Sequence, residues 1–196
     1  MAVIPNFLSV LRLGLVPVLL LLAWNGLSQI FLFTLILSLI TDAADGYLAR
    51  RLNAMSELGA KLDSRADFAT TLALPFCAWW LRPDAIRAEA VAIATVVFFY
   101  VAPIVLGFLK YRRLTSYHTW LAKTCAVVAA VVVVVFFAGG PGWPWRVFAP
   151  LIVISGLEEI AITALLNEWR ANVPTLWHAW QIKRTRAAVK PASDAR

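Results

Sequence analysis

Residues 29–68 read QIFLFTLILSLITDAADGYLARRLNAMSELGAKLDSRADF. An apolar run from Ile30 to Ile40, interrupted only by Thr34 and Ser38, ends on Asp42 and Asp45. After Arg50-Arg51 and a short polar link, Asp63 and Asp67 open the next apolar stretch. Ionised carboxylates in such surroundings cost about 3 kcal/mol each on insertion scales, so something must offset them. Helical spacing points to what. Asp42 and Asp45 are three apart and Asp63 and Asp67 four apart, so each pair shares one helix face. The short 50–58 link makes the two helices antiparallel neighbours, and the four carboxylates can converge at one end. Four clustered negative charges repel unless a cation joins them. Mg²⁺ or Mn²⁺ suits carboxylate oxygen, and four such ligands point to two ions. Cysteine and histidine are absent from the stretch, which argues against structural zinc.

The small residues fit the same picture. Gly46, Ala49 and Gly59 let helix backbones or a ligand approach closely. Arg50, one turn beyond Gly46, carries a planar fork that grips phosphate. Metals, glycines and an arginine together describe a site for a diphosphate. Pairing the aspartates with Arg50, Lys61 and Arg65 merely to hold a bundle together leaves too many carboxylates bare.

Outward from this stretch, the chain is 61% hydrophobic and only 15% charged over 196 residues, too apolar for a soluble fold of this length. A helix needs about 20 apolar residues to cross the hydrocarbon. Six segments qualify, at about 7–24, 29–49, 58–81, 88–109, 118–138 and 144–169. The expected fold is therefore all-α, a polytopic bundle of six transmembrane helices over residues 1–169, with an interfacial tail at 170–196. Trp177, His178 and Trp180 suit the interface, and order is expected to end near Ala187. Arg50, Arg51, Lys110, Arg112, Arg113 and Arg170 fall on the side of both termini, while the opposite loops hold Arg82, Arg87 and Arg146. That asymmetry places the termini and the 50–58 link in the cytoplasm. The net charge of +7 sits in such juxtamembrane clusters, so nucleic acid is not an expected partner.

Other polar residues carry weaker signals. Arg12 interrupts the first apolar run, and nothing there resembles a secretory signal, so the segment is expected to be retained. Lys110, Arg112, Arg113 and Lys123 are candidates for the phosphate of an acidic acceptor, although flanking charges belong there in any case. Of Glu158 and Glu159, one is expected to face a cavity and pair with Lys123 or Arg12. Trp143, Trp145, Trp169 and Trp177 read as interfacial aromatics. Cys77 and Cys125 read as small buried hydrophobes rather than a disulfide.

The spacing Asp42-x2-Asp45-Gly46-x2-Ala49-Arg50-x8-Gly59-x3-Asp63-x3-Asp67 resembles, position for position, the signature of the CDP-alcohol phosphotransferase family. Ile4-Pro5-Asn6-x5-Arg12 is similar to the start of its phosphatidylglycerophosphate and cardiolipin synthases. The resemblance implies that Asp42, Asp45, Asp63 and Asp67 bind two divalent ions and that Asp67 also deprotonates the acceptor hydroxyl. It further implies that Gly46 and Arg50 contact the CDP part and that Ser56 hydrogen-bonds it. The alkoxide then attacks the lipid-bearing phosphorus of CDP-diacylglycerol, and CMP leaves.

Asp63-Ser64-Arg65-Ala66-Asp67-Phe68 lacks the proline and lysine common in phosphatidylglycerophosphate synthases. That departure leaves the acceptor open; the order of expectation is glycerol 3-phosphate first, then serine, inositol phosphate or phosphatidylglycerol. A homodimer in the bacterial inner membrane, with its site facing the cytoplasm, is what the resemblance implies. Two other classes compete: a divalent-cation transporter and a catalytically silent scaffold. A transporter calls for acidic residues spread through the bilayer depth or for inverted repeats, whereas here the carboxylates gather at one end.

Overall fold

The computed structural model describes residues 3–51, 57–112, 117, 119–170 and 173–189. Among these the chain is helical throughout: α1 Val3–Trp24, α2 Ser28–Arg51, α3 Glu57–Leu81, α4 Pro83–Ala88, α5 Ala90–Tyr111, α6 Trp120–Phe137, α7 Pro144–Leu165 and α8 Leu176–Val189. Each segment expected to cross a membrane coincides with one of the long helices. By length and composition α5, α6 and α7 can each cross a bilayer, and α1 and α2 carry the shorter apolar stretches Val10–Trp24 and Ser28–Ala44. Large apolar side chains stand outward, Phe33 at 70% exposure and Val91 at 83% among them. Such a surface is at home against lipid tails, and the protein is an integral membrane protein.

The chain divides into two compact units, residues 1–93 with 130–144 and residues 94–129 with 145–196. In the first, α1 packs against both α2 and α3. Its core is Leu19 and Ala23 of α1, Phe31 and Leu35 of α2, and Ala66, Ala73 and Cys77 of α3. Small residues at 66, 73 and 77 lie along one stripe, which lets α1 approach closely. The approach brings the Cys77 thiol to 3.9 Å from the Leu19 carbonyl oxygen. Cys77 and Cys125 are both free and buried, as their apolar settings predict.

Helix ends follow from local chemistry. After α1, Gly26 adopts φ +72°, and after α6, Gly139 adopts φ +91°, a left-handed conformation that glycine reaches without strain. Around the first, the Gly26 N–H donates to the Ala23 carbonyl (3.0 Å) and the Leu27 N–H to the Leu22 carbonyl (3.0 Å). Around the second, Gly139 donates to Phe136 (3.2 Å) and Gly140 to Val135 (2.9 Å). Both are Schellman closures that satisfy carbonyls left over by the last turn.

Arg82 completes the second closure. Its Nη1 donates to the Phe136 carbonyl and, at 2.8 Å, to that of Gly140, while its guanidinium lies 5.0 Å from the Phe136 ring centroid. A cation at a helix C-terminus also complements the helix dipole. The sequence predicts a plain stop at Arg82-Pro83-Asp84, but the chain makes the six-residue helix α4 there before α5 begins. Proline at its first position needs no N–H partner, which is why a breaker inside a longer helix can open a short one.

The second unit has its core in Tyr117, Ile162, Leu166, Val173 and Ala179, joined by Leu165 and Ile182. Gly156 of α7 faces Phe99 of α5 so closely that a Cβ there would lie 2.6 Å from the Phe99 carbonyl oxygen. Trp143 and Trp177 are exposed, as interfacial aromatics should be, but Trp145 is buried at 8%. Removing the α6 cap should be measurable. Arg82→Ala is expected to lower stability by about 1–3 kcal/mol, read as a reduced melting temperature in detergent micelles, and Arg82→Lys to recover part of it.

Candidate active site

The site is built on α1, α2 and α3. Arg12 lies within the apolar α1 and is 2% exposed, so its charge must find partners inside the protein. It finds two. Nη1 contacts Oδ1 of Asp42 on α2, and Nη2 donates to Oδ1 of Asp67 on α3 at 2.6 Å. One guanidinium thus bridges a carboxylate from each acidic helix through charge-assisted contacts, one nitrogen to each. The carboxylates are not sealed by this contact, since Asp42 remains 43% and Asp67 49% exposed. They converge from two helices and still present surface outward.

Asp45 and Asp63 belong to the same helices, and their side chains lie outside the described residues, as do those of Gly46's neighbours Ala49 and Arg50. Ser56 falls in the 52–56 connection, likewise outside them. Gly59 is half-buried in the first turn of α3. Among the described residues no three His, Cys, Asp or Glu side chains cluster as a metal site, in a set that leaves out two of the four aspartates.

The basic residues considered for an acceptor belong to the second unit and have occupations of their own. Lys110 donates from Nζ to the carbonyls of Thr163 (2.6 Å) and Ala164 (3.2 Å), capping the last turn of α7. The neighbouring Tyr111 hydroxyl bonds the Thr163 carbonyl at 3.0 Å and that of Leu166 at 2.6 Å. Tyr117, buried between α5 and α6, shares a 2.9 Å hydrogen bond with the Thr163 hydroxyl. Burial raises its phenol above the usual range and keeps it protonated. Arg112 is exposed and takes φ +55°, the left-handed conformation common just past a helix end. Arg113 lies outside the described residues. Lys123 is exposed and sits 5.0 Å from the Trp120 ring centroid.

One of the two α7 glutamates, Glu158, has a main-chain partner among the described contacts. Glu158 accepts a 3.2 Å hydrogen bond from the Leu176 N–H, and Arg12 is directed to Asp42 and Asp67. The role of Arg12 is the main feature that spacing rules miss. Its signal in the sequence is a lone arginine in an apolar run, which must have an acidic partner.

Carboxylates from neighbouring membrane helices meeting beside a buried arginine mark a functional site rather than a packing contact. The chain belongs to the CDP-alcohol phosphatidyltransferase family, whose profile matches residues 2–176. Over 101 residues it is 31% identical to a putative cardiolipin synthase of Mycobacterium tuberculosis, covering 47% of this chain and 48% of that protein. A putative cardiolipin synthase of Mycobacterium bovis matches to the same extent. Over 71 residues it is 41% identical to a CDP-diacylglycerol–glycerol-3-phosphate 3-phosphatidyltransferase of Pseudomonas fluorescens, covering 33% of this chain and 34% of that one. The chain thus spans about half the length, or less, of the curated relatives it matches. No solved structure matches it.

Arg12→Met keeps the apolar stem of the side chain and removes the charge that Asp42 and Asp67 share. Thermal unfolding in detergent with a chelator present should show a loss of about 1–3 kcal/mol. An unchanged melting temperature would show that the ion pair contributes nothing to holding α1 on α2 and α3.

Proposed function

We propose that this chain transfers a phosphatidyl group from CDP-diacylglycerol to an alcohol, with glycerol 3-phosphate the favoured acceptor, and releases CMP. The observation that carries the reading is the meeting of Asp42 and Asp67 from separate helices on one point, each still open on its outer side. Family membership supports the reaction class. The Pseudomonas relative's name supports the acceptor, and the mycobacterial name keeps phosphatidylglycerol as a second one.

The residues fit a divalent ion. Asp42 and Asp67 are hard oxygen donors at the ends of apolar helices, already close enough to share one cation. Asp45 and Asp63, three and four residues away on the same helices, would complete the ligand set. Mg²⁺ or Mn²⁺ held there would supply positive charge to the diphosphate of the donor and to the leaving phosphate oxygen.

The chain's own groups do the rest. Gly46, Ala49 and Gly59 leave room for the CDP moiety, Arg50 grips its phosphate, and Ser56 donates a hydrogen bond to it. Asp67 takes the proton from the acceptor hydroxyl, whose oxygen forms a new bond to the lipid-bearing phosphorus as the diphosphate bond breaks. With Lys110 committed to the α7 carbonyls, Arg112, Arg113 and Lys123 are the better candidates for an acceptor phosphate. We further infer six spans with both termini cytoplasmic, a site facing the cytoplasm of a bacterial inner membrane, and a homodimer. The distribution of Lys and Arg along the chain supports the orientation.

The test is release of CMP from CDP-diacylglycerol by purified, reconstituted protein over a panel of acceptors. Wild type should be active with glycerol 3-phosphate, lose activity to a chelator and regain it with Mg²⁺ or Mn²⁺. Asp67→Asn should lower the rate by roughly 10²–10⁴-fold. Wild-type protein that releases no CMP with any acceptor would overturn the reading.

A further inference from the structure

Helix α8 is held by one face and leaves the other unused. Ala179 is fully buried, and Ile182 packs on the cluster of Tyr117, Ile162, Leu166 and Val173. Its start is fixed twice. Glu158 of α7 accepts from the Leu176 N–H at 3.2 Å, and Thr175 bonds His178 Nδ1 at 2.8 Å. The residues it packs on lie at the end of α7 and in the α5–α6 connection. Among the described residues α5, α6 and α7 are long and apolar enough to cross a membrane, and α8 packs where α7 ends and where α5 joins α6.

The outward face carries a stripe of defined chemistry. Trp177, Trp180 and Arg184 follow at three- and four-residue spacing on one side of the helix. The two indoles stack at 4.9 Å, and the Arg184 guanidinium lies 5.3 Å from the Trp180 ring centroid. Trp177 is 61% and Trp180 39% exposed, and Lys183 and Arg184 are both exposed. From Leu176 to Val189 there is no acidic residue, while Lys183, Arg184 and Arg186 follow within four positions. Tryptophan favours the headgroup layer, and clustered Lys and Arg at that depth favour anionic headgroups.

We propose that α8 is an interfacial clamp whose Trp177–Trp180–Arg184 face docks on the anionic phospholipid surface of the protein's own membrane. The indoles enter the headgroup layer, and Arg184 with Lys183 meets lipid phosphate and other negative headgroup charge. This inference is independent of the proposed reaction, because it uses none of the residues assigned to it.

The test uses the full chain in nanodiscs of phosphatidylcholine, with and without phosphatidylglycerol. The rate of tryptic cleavage after Lys183, Arg184 and Arg186 is followed by mass. A docked helix must lift off before it is cut, so cleavage should be roughly ten-fold slower or more in the anionic discs. High salt should remove most of that protection. Trp177→Ser with Trp180→Ser leaves every cleavage site and the buried Ala179 face in place, and should abolish the difference between lipids. Equal rates for wild type in the two lipids would overturn the proposal, as would the same slow cleavage in detergent, which would mean that the face is covered by protein.

Discussion

A guanidinium buried in an apolar helix has few ways to be satisfied, and Arg12 uses two carboxylates to do it. Asp42 and Asp67 set negative charge against a guanidinium that is only 2% exposed, and Arg12 in turn relieves the repulsion between the two aspartates. The contact therefore sets the rotation of α1, α2 and α3 together. One residue of slip turns a helix by about 100° and would carry any of the three side chains off the shared point. Close packing makes the meeting possible. Ala66, next to Asp67, is fully buried, and the small side chains below it on α3 bring α1 near.

A related need recurs at the ends of α6 and α7. Lipid offers no hydrogen-bond partner to a terminal carbonyl, so side chains must supply one. Arg82 serves the end of α6, Lys110 and Tyr111 serve the end of α7, and in each case a polar tip reaches back to main-chain oxygen. Charges that flank apolar segments thus have two tasks. They set orientation in the membrane, and they close the helices they adjoin.

Much of this was legible in the sequence, for reasons that also explain the rest. Apolar run lengths placed the long helices, because span length is a local property. The facing of Asp42 and Asp67 followed from helical spacing. Their partner did not, because Arg12 lies 55 positions from Asp67 and periodicity carries no information at that range. The pairing of intramembrane charges offered Arg12 or Lys123 as partner to a glutamate of α7. Lys110 reads as a free basic group in one dimension, whereas its amine is committed to carbonyls 53 and 54 positions away. Helix α4 was missed because a proline that stops one helix was not also read as the start of the next.

The proposed function requires that Asp42 and Asp67, carried by different helices, hold a divalent ion between them. Electron paramagnetic resonance of Mn²⁺ titrated into the purified protein measures this directly. Wild type should bind Mn²⁺ in competition with Mg²⁺, and Asp42→Asn and Asp67→Asn should each weaken binding by at least about ten-fold. Binding that survives both substitutions unchanged would contradict the claim.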